Sequence, residues 1–229
     1  MRRRNCTSKG EERRIKMNDK KFELTDECKK IGEIKLFRIK ALIDFGNIKS
    51  GDLGGFIEKE ENLSHYNDAW VGGNAYVYGD AQVYGNAQVY GDAEVCGNAQ
   101  VHGNTEVCDN ARIYGHAQAY DNACVRGNAC VHGNAYVHGN AWVCGNTEVC
   151  GNAEVCDNAD YATVKGFGTV FRNTTFFRCK DKKICVSCGC FYGTINQFRE
   201  QVKRTRKGKM AKEYLMIADL MEMHFGKEV

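Results

Sequence analysis

Four histidines lie in the middle of this 229-residue chain, where they could serve acid–base chemistry: His102, His116, His132 and His138. An imidazole has a pKa near neutrality, so each could act as a general base. Three of the four follow a valine, and the same position elsewhere holds Tyr, Cys and Arg, which is typical of a solvent-facing position. We therefore expect no catalytic residue among them, and His132 and His138 remain the alternative bases.

The chain also has 13 cysteines, of which four cluster with the spacing C-x5-C-x2-C-x-C: Cys179, Cys185, Cys188 and Cys190. Clustered cysteines can bind zinc, but structural zinc sites usually use two well-separated pairs, so this site is the weaker alternative and we expect no metal. No apolar export signal follows Met1. The odd cysteine count without such a signal indicates free thiols in a reducing cytoplasm.

A six-residue repeat must position these side chains. From Val71 to Val155 every sixth residue is aliphatic, which gives fifteen positions, thirteen of them Val. Two residues before the aliphatic position, thirteen of fifteen units have Ala, and that Ala follows a pair that is mostly Gly-Asn. The unit is therefore [GD]-[ND]-A-x-V-x, as in residues 85–90.

The repeat predicts an all-β solenoid. Ala and Val two residues apart alternate as in a short strand, and Gly and Asn accept left-handed backbone angles at a corner. Three units close a triangular coil, so fifteen units give about five coils. The period alone also allows two or four units per coil. With three units, one corner ladder would contain Asn86, Asn104, Asn122, Asn140 and Asn158.

Tyrosines after the aliphatic position are the candidate binding surface: Tyr78, Tyr84, Tyr90, Tyr114 and Tyr120. Outward aromatic residues are enriched at protein interfaces. We expect them to form a contact between subunits of a trimer or dimer, or with another partner. Packing between neighbouring coils is the alternative.

The repeat over residues 71–160 resembles the hexapeptide-repeat family, whose coils form a left-handed parallel β-helix. Family members include acyltransferases and γ-class carbonic anhydrases, and many are trimers. Residues 36–42, 51–64 and 189–194 look like the flanks of uncharacterised phage and prophage hexapeptide proteins described as transferases. The resemblance implies the handedness and, for an acyltransferase, acyl-CoA as the cofactor with His132 or His138 as the base.

Both ends of a β-helix expose unpaired backbone groups, so atypical segments must cap them. Thr194 and Gln197 have the spacing of a capping box that begins a helix. We expect a second helix from Lys209 to Phe225. Its apolar residues predict helix packing, with a partner-binding groove as the alternative: Tyr214, Leu215, Ile217, Ala218, Leu220 and Met221.

These patterns divide the chain into five segments. Met17 is an alternative to Met1 as the translation start, because no periodic pattern precedes it. The segments are a disordered basic tail (1–21), a small β-rich N-terminal cap (22–68), the hexapeptide β-helix (69–165), short strands (166–193) and a two-helix, α-helical C-terminal cap (194–229).

The net charge of +3 hides an asymmetry along the chain. Residues 72–164 carry 2 Lys/Arg against 10 Asp/Glu, whereas residues 165–229 carry 14 against 6. Such polarity can attract charged partners without defining a fold. A nucleic-acid contact through the basic N-terminus is the weaker alternative there, and the lack of a long apolar run argues against a membrane partner.

The uninterrupted repeat offers nothing that would enclose an acyl-CoA arm or an acceptor. We therefore expect a non-catalytic binding or scaffold protein without a cofactor, oligomeric and located in the cytoplasm. The phage-like resemblance adds the hypothesis that it inhibits a host defence protein, as an anti-CRISPR-like factor would in a bacterial cytoplasm. A hexapeptide acyltransferase that uses acyl-CoA is the alternative function.

Overall fold

A parallel β-helix forms the centre of the protein in the computed structural model, which describes residues 20–169 and 171–226. The solenoid predicted from the repeat is confirmed, with the left hand that the resemblance implied. Most of the predicted basic tail, including the Met1 or Met17 start, lies outside the described residues. Strands of the repeat are two residues long, and each ends at the aliphatic residue of its unit.

The β-helix has three faces, each a parallel sheet. The first face contains β3 (Leu53–Ile57), β5 (Tyr76–Val77), β8 (Glu94–Val95), β11 (Arg112–Ile113), β14 (Cys130–Val131) and β17 (Glu148–Val149). The second face contains β6 (Gln82–Val83), β9 (Gln100–Val101), β12 (Gln118–Ala119), β15 (Tyr136–Val137) and β18 (Glu154–Val155). The third face contains β4 (Trp70–Val71), β7 (Gln88–Val89), β10 (Glu106–Val107), β13 (Cys124–Val125) and β16 (Trp142–Val143).

Each strand pairs with the strand one coil further on, so three units per coil is correct. Gln118 pairs with Tyr136, and Arg112 pairs with Glu94. The structure has about six coils, against the five predicted. The difference arises because β3 pairs in parallel with β5 and Leu63 bridges Val83, so residues 53–71 already make a first, irregular coil.

Aliphatic side chains fill the interior of the β-helix. All repeat residues of the Val column are 0–1% exposed, and two Ala positions are replaced by the buried Thr105 and Thr147. Each threonine hydroxyl donates to a backbone carbonyl of its own corner, at 2.6 Å to His102 and 2.7 Å to Cys144. These hydrogen bonds satisfy a hydroxyl that would otherwise be buried without a partner.

The N-terminal cap is a hairpin of β1 (Phe22–Ile31) and β2 (Ile34–Ala41), which extends the first face through an antiparallel pairing of β2 with β3. Lys21, which the sequence analysis placed at the end of the tail, is only 1% exposed. Its ammonium donates to the carbonyls of Ala69 at 2.6 Å and Asn67 at 3.1 Å. The ordered cap therefore begins before residue 22.

The C-terminal cap is an antiparallel sheet followed by two helices. The sheet contains β19 (Tyr161–Phe167), β20 (Arg172–Arg178), β21 (Ile184–Cys188) and β22 (Phe191–Thr194), and the helices are α1 (Ile195–Thr205) and α2 (Gly208–Phe225). The predicted capping box is present, because Thr194 and Gln197 each bond the other's backbone amide. None of the helices in the described parts of the chain combines the length and apolarity needed to cross a membrane.

Candidate functional site

The sheet of the C-terminal cap lies between the last coil of the β-helix and the two helices. Alternate side chains of a strand point to opposite faces of its sheet. Phe177 accordingly belongs to the core of the β-helix, whereas Phe176 belongs to the core shared with the helices, and both are fully buried. In the same way Ser187 faces the β-helix and Val186 faces the helices. We call the contact between the last coil and β21 the seam.

Four polar side chains meet at the seam, and we call them the seam cluster: His132, Glu148, Cys150 and Ser187. His132 Nε2 lies 3.0 Å from Glu148 Oε1. The Ser187 hydroxyl donates to the other carboxylate oxygen, Glu148 Oε2, at 2.8 Å. Cys150 stands one coil beyond His132 in the same column and is 4% exposed.

The seam cluster has defined electrostatics. The hydrogen bond from His132 lowers the pKa of Glu148, against the opposing effect of burial, and the Ser187 hydroxyl lowers it further. Glu148 is therefore an ionised acceptor at neutral pH. Burial raises the pKa of the Cys150 thiol to about 12, and the nearby Glu148 carboxylate adds to that effect. A thiol in this state is a poor nucleophile, because the thiolate is the reactive form.

The arrangement is better suited to holding a cation than to nucleophilic catalysis. The ligand atoms of His132, Glu148 and Cys150 all lie within 4.8 Å of one another, and they form the one group of three or more such ligands among residues 20–169 and 171–226. The sequence analysis named His132 but missed Glu148, Cys150 and Ser187. The interval between His132 and Cys150 equals one coil, so this part of the signal was present in the sequence.

His138 lies at a different corner and takes part in a stack of aromatic rings. Tyr84, His102, Tyr120 and His138 stack in sequence along the axis, with centroid separations of 4.6, 5.2 and 4.7 Å and interplanar angles of 11° or less. His138 Nε2 is buried without a hydrogen-bond partner. The structure does not bring the two alternative bases together, because His132 and His138 belong to different columns.

The five candidate tyrosines are mostly held by neighbouring coils. Tyr114 stacks on His132 at 4.8 Å, Tyr78 donates to Glu94, and Tyr84 donates to Gln100 at 3.3 Å. Of the five, only Tyr90 has a largely exposed side chain, at 41%. The alternative of packing between coils therefore describes four of the five side chains.

The four C-terminal cysteines do not converge on one point. Cys179, which directly follows β20, forms a disulfide with Cys185 in β21, with a Cα–Cα distance of 6.3 Å. The expectation of free thiols is therefore wrong for this pair. Cys188 accepts a hydrogen bond from Thr174 at 3.1 Å on the helix side of the sheet. Cys190 is exposed. The alternating faces of the strands separate these sulfur atoms.

The second helix of the cap carries three exposed large apolar side chains. Met216, Leu220 and Met223 are 69%, 49% and 73% exposed, and their spacing places them on one face of α2. Leu220 was predicted to pack with the other apolar residues of this helix and instead points outward. We call these three residues the α2 stripe.

A cationic segment joins the two helices. Residues 203–209 contain five Lys or Arg and are all exposed. Lys203 pairs with Glu200 at 2.9 Å and Lys209 with Glu213 at 3.5 Å. Arg206 and Lys207 have no ion pair within the described part of the chain. The segment therefore presents unneutralised positive charge at the N-terminal end of the helix that carries the α2 stripe.

Comparison with known proteins adds no family assignment. No family model matches the chain, and no curated protein is significantly similar to it.

Proposed function

We propose that this protein is a non-catalytic β-helical scaffold that binds an acidic protein partner through the helices of its C-terminal cap. The observation that carries the proposal is the α2 stripe on a helix whose N-terminal end is the cationic segment 203–209. Large apolar side chains exposed together mark binding surfaces, and methionine adapts its shape to a partner. Lys212 lies one helical turn before Met216 and adds a positive charge to the same face of α2.

The partner chemistry follows from this combination. Exposed cations attract acidic groups and accelerate their encounter with the surface. Covering aliphatic side chains with another apolar surface lowers the free energy of the complex. A phosphate backbone does not offer such a surface. A protein with an apolar ridge bordered by Asp or Glu therefore fits better than a nucleic acid. The resemblance to phage hexapeptide proteins extends the proposal to a host defence protein as that partner.

Self-association belongs to the same proposal. Tyr90 and Trp142 are exposed aromatic residues on or beside the third face, at 41% and 50%, and Arg126 lies over the Trp142 ring at 4.6 Å. We propose that this face contacts another copy of the chain. Sedimentation of the purified protein should show an oligomer that Tyr90→Ser with Trp142→Ser dissociates; a wild-type monomer would contradict this part.

The experiment on the partner uses matched variants. A protein captured from cells of the encoding organism should re-form a stoichiometric complex with the purified chain. Met216→Glu with Leu220→Glu should weaken that complex by about 100-fold or more, since charge is placed in an apolar contact. Gln82→Glu, an exposed change on the β-helix, should leave the affinity unchanged. Equal affinities for the stripe variant and the control would refute the proposal.

An acyltransferase is the second candidate, favoured by the His132–Glu148 pair, in which a carboxylate orients an imidazole. Acetyl-CoA should not stabilise the purified protein if the scaffold proposal is correct. A rise in its thermal midpoint with acetyl-CoA that is lost in His132→Ala or His138→Ala would instead support acyl transfer.

A further inference from the structure

We propose that His132, Glu148 and Cys150 form a binding site for a Zn²⁺ ion, which fastens the last coils of the β-helix at the seam. The fourth coordination position would be taken by water. This inference does not rest on the proposed partner surface, which lies on the helices of the cap.

The three donors match the chemistry and the geometry of zinc. Imidazole nitrogen, carboxylate oxygen and thiolate sulfur are the three ligand types that zinc accepts, at about 2.0–2.3 Å. Ligands at such distances around a tetrahedral ion lie roughly 3–4 Å apart. His132 Nε2 and Glu148 Oε1 already stand 3.0 Å apart, and the largest separation in the group is at most 4.8 Å. Small side-chain rotations therefore suffice.

Neighbouring residues hold each ligand in place. The Tyr114 ring lies parallel to the His132 ring at 2° and 4.8 Å, which restricts the orientation of the imidazole. Ser187 donates to Glu148 Oε2 and leaves Oε1 directed at His132. Partners of this kind orient metal ligands and raise affinity. Ser187 is itself 4% exposed, so the cap supplies a fixed donor to the ligand set.

The site is accessible on one side. The side chains of His132 and Glu148 are 25% and 40% exposed, which allows an ion and its water to enter. Binding exchanges the thiol proton of Cys150 for the metal, and that proton passes to solvent. A mixed N, O and S donor set favours zinc and cobalt over magnesium or calcium, which prefer oxygen ligands.

Cobalt(II) is the probe because its thiolate complexes absorb light. Metal-free protein, prepared with a chelator, should bind one equivalent of Co²⁺ with a sulfur-to-metal charge-transfer band, and Zn²⁺ should displace it. The thermal midpoint should rise with Zn²⁺, because a ligand of the folded state stabilises that state. Cys150→Ser and His132→Gln should each abolish the band and the rise in midpoint.

Matched controls separate this site from adventitious binding by the other cysteines. Cys108 is 6% exposed and occupies the equivalent position on another face, so Cys108→Ser should retain the band. His102→Gln should also retain it. Ser187→Ala should keep the band but weaken affinity by about 10–100-fold, as expected for a residue that positions a ligand. A band that survives Cys150→Ser, or its absence from the wild type, would overturn the proposal.

Discussion

Replacement of one corner glycine tests how closely the coils stack. Gly127 has a φ of 73°, a left-handed conformation that costs a non-glycine residue about 1–2 kcal/mol. A Cβ at Gly127 would also lie 2.9 Å from the backbone nitrogen and 3.0 Å from the carbonyl oxygen of Gly145 in the next coil. Backbone atoms cannot rotate away, so Gly127→Ala should force the two coils apart.

Gly145 provides the matched control, because it lies in the same corner column with a φ of 71° and nothing within 4 Å of an added Cβ. Gly145→Ala should lower the free energy of unfolding by only the conformational cost, about 1 kcal/mol after allowing for the reduced entropy of the unfolded chain. Gly127→Ala adds an overpacking cost of about 1–3 kcal/mol. Its total loss should therefore be about 2–4 kcal/mol.

Aspartate should be tolerated better than alanine at this position. Asp109 occupies the same column with a φ of 60°, and its carboxylate accepts the backbone N–H of Gly127 at 3.0 Å. Gly127→Asp can make the same hydrogen bond to Gly145 and recover about 1–2 kcal/mol. The three variants would be compared by urea unfolding followed by far-UV circular dichroism. Equal losses for Gly127→Ala and Gly145→Ala, or a larger loss for Gly127→Asp, would refute the reasoning.

Three further predictions concern the corners and the caps. Tyr120→Ala removes an inner ring of the four-ring stack and should lower the free energy of unfolding, measured by urea unfolding, by about 1–3 kcal/mol. Tyr120→Phe keeps the ring and should stay near wild type. Equal losses for the two variants would contradict the stacking argument. Burial lowers the pKa of Lys21 to about 8 from 10.5, so the unfolded chain binds more protons between these pH values. The free energy of unfolding should therefore rise by about 3 kcal/mol, relative to that of Lys21→Met, as the pH increases through this window. Parallel plots of stability against pH for the two proteins would contradict this prediction. Replacing Cys179 and Cys185 by Ala should cost about 2 kcal/mol by the same assay, and an unchanged midpoint would argue that the disulfide does not form.

The repeat predicted most of the fold because its physical requirements recur in every unit. Each corner needs left-handed backbone angles, and each interior position needs a small or branched aliphatic side chain. The first coil escaped prediction because residues 53–68, which form most of it, lack the repeat. There Gly54 and Gly55 allow backbone segments to approach closely: a Cβ on Gly54 would meet the Val71 carbonyl at 2.5 Å. Such a requirement comes from tertiary packing and leaves no periodic signal.

The seam cluster was only partly predictable. Cys150 follows His132 by one coil, so their neighbourhood could have been deduced once three units per coil were assumed. Ser187 could not, because the docking of β21 on the last coil has no local pattern in the sequence. The exposure of Leu220 was also not predictable from the sequence. An amphipathic pattern shows that a helix has a buried face, but it does not show which apolar residues lie at the edge of that face and remain exposed.

In the β-helix, successive coils stack in parallel, so that each residue lies above the residue three repeat units, or one coil, earlier in the chain. Nuclear magnetic resonance of isotopically labelled protein tests it through contacts and couplings across backbone hydrogen bonds. We predict a coupling from the amide of Gln118 to the carbonyl of Ala135, which are 2.9 Å apart, and contacts between Gln118 and Tyr136. Couplings that instead link Gln118 to a residue two or four units away, or antiparallel contacts, would contradict the account.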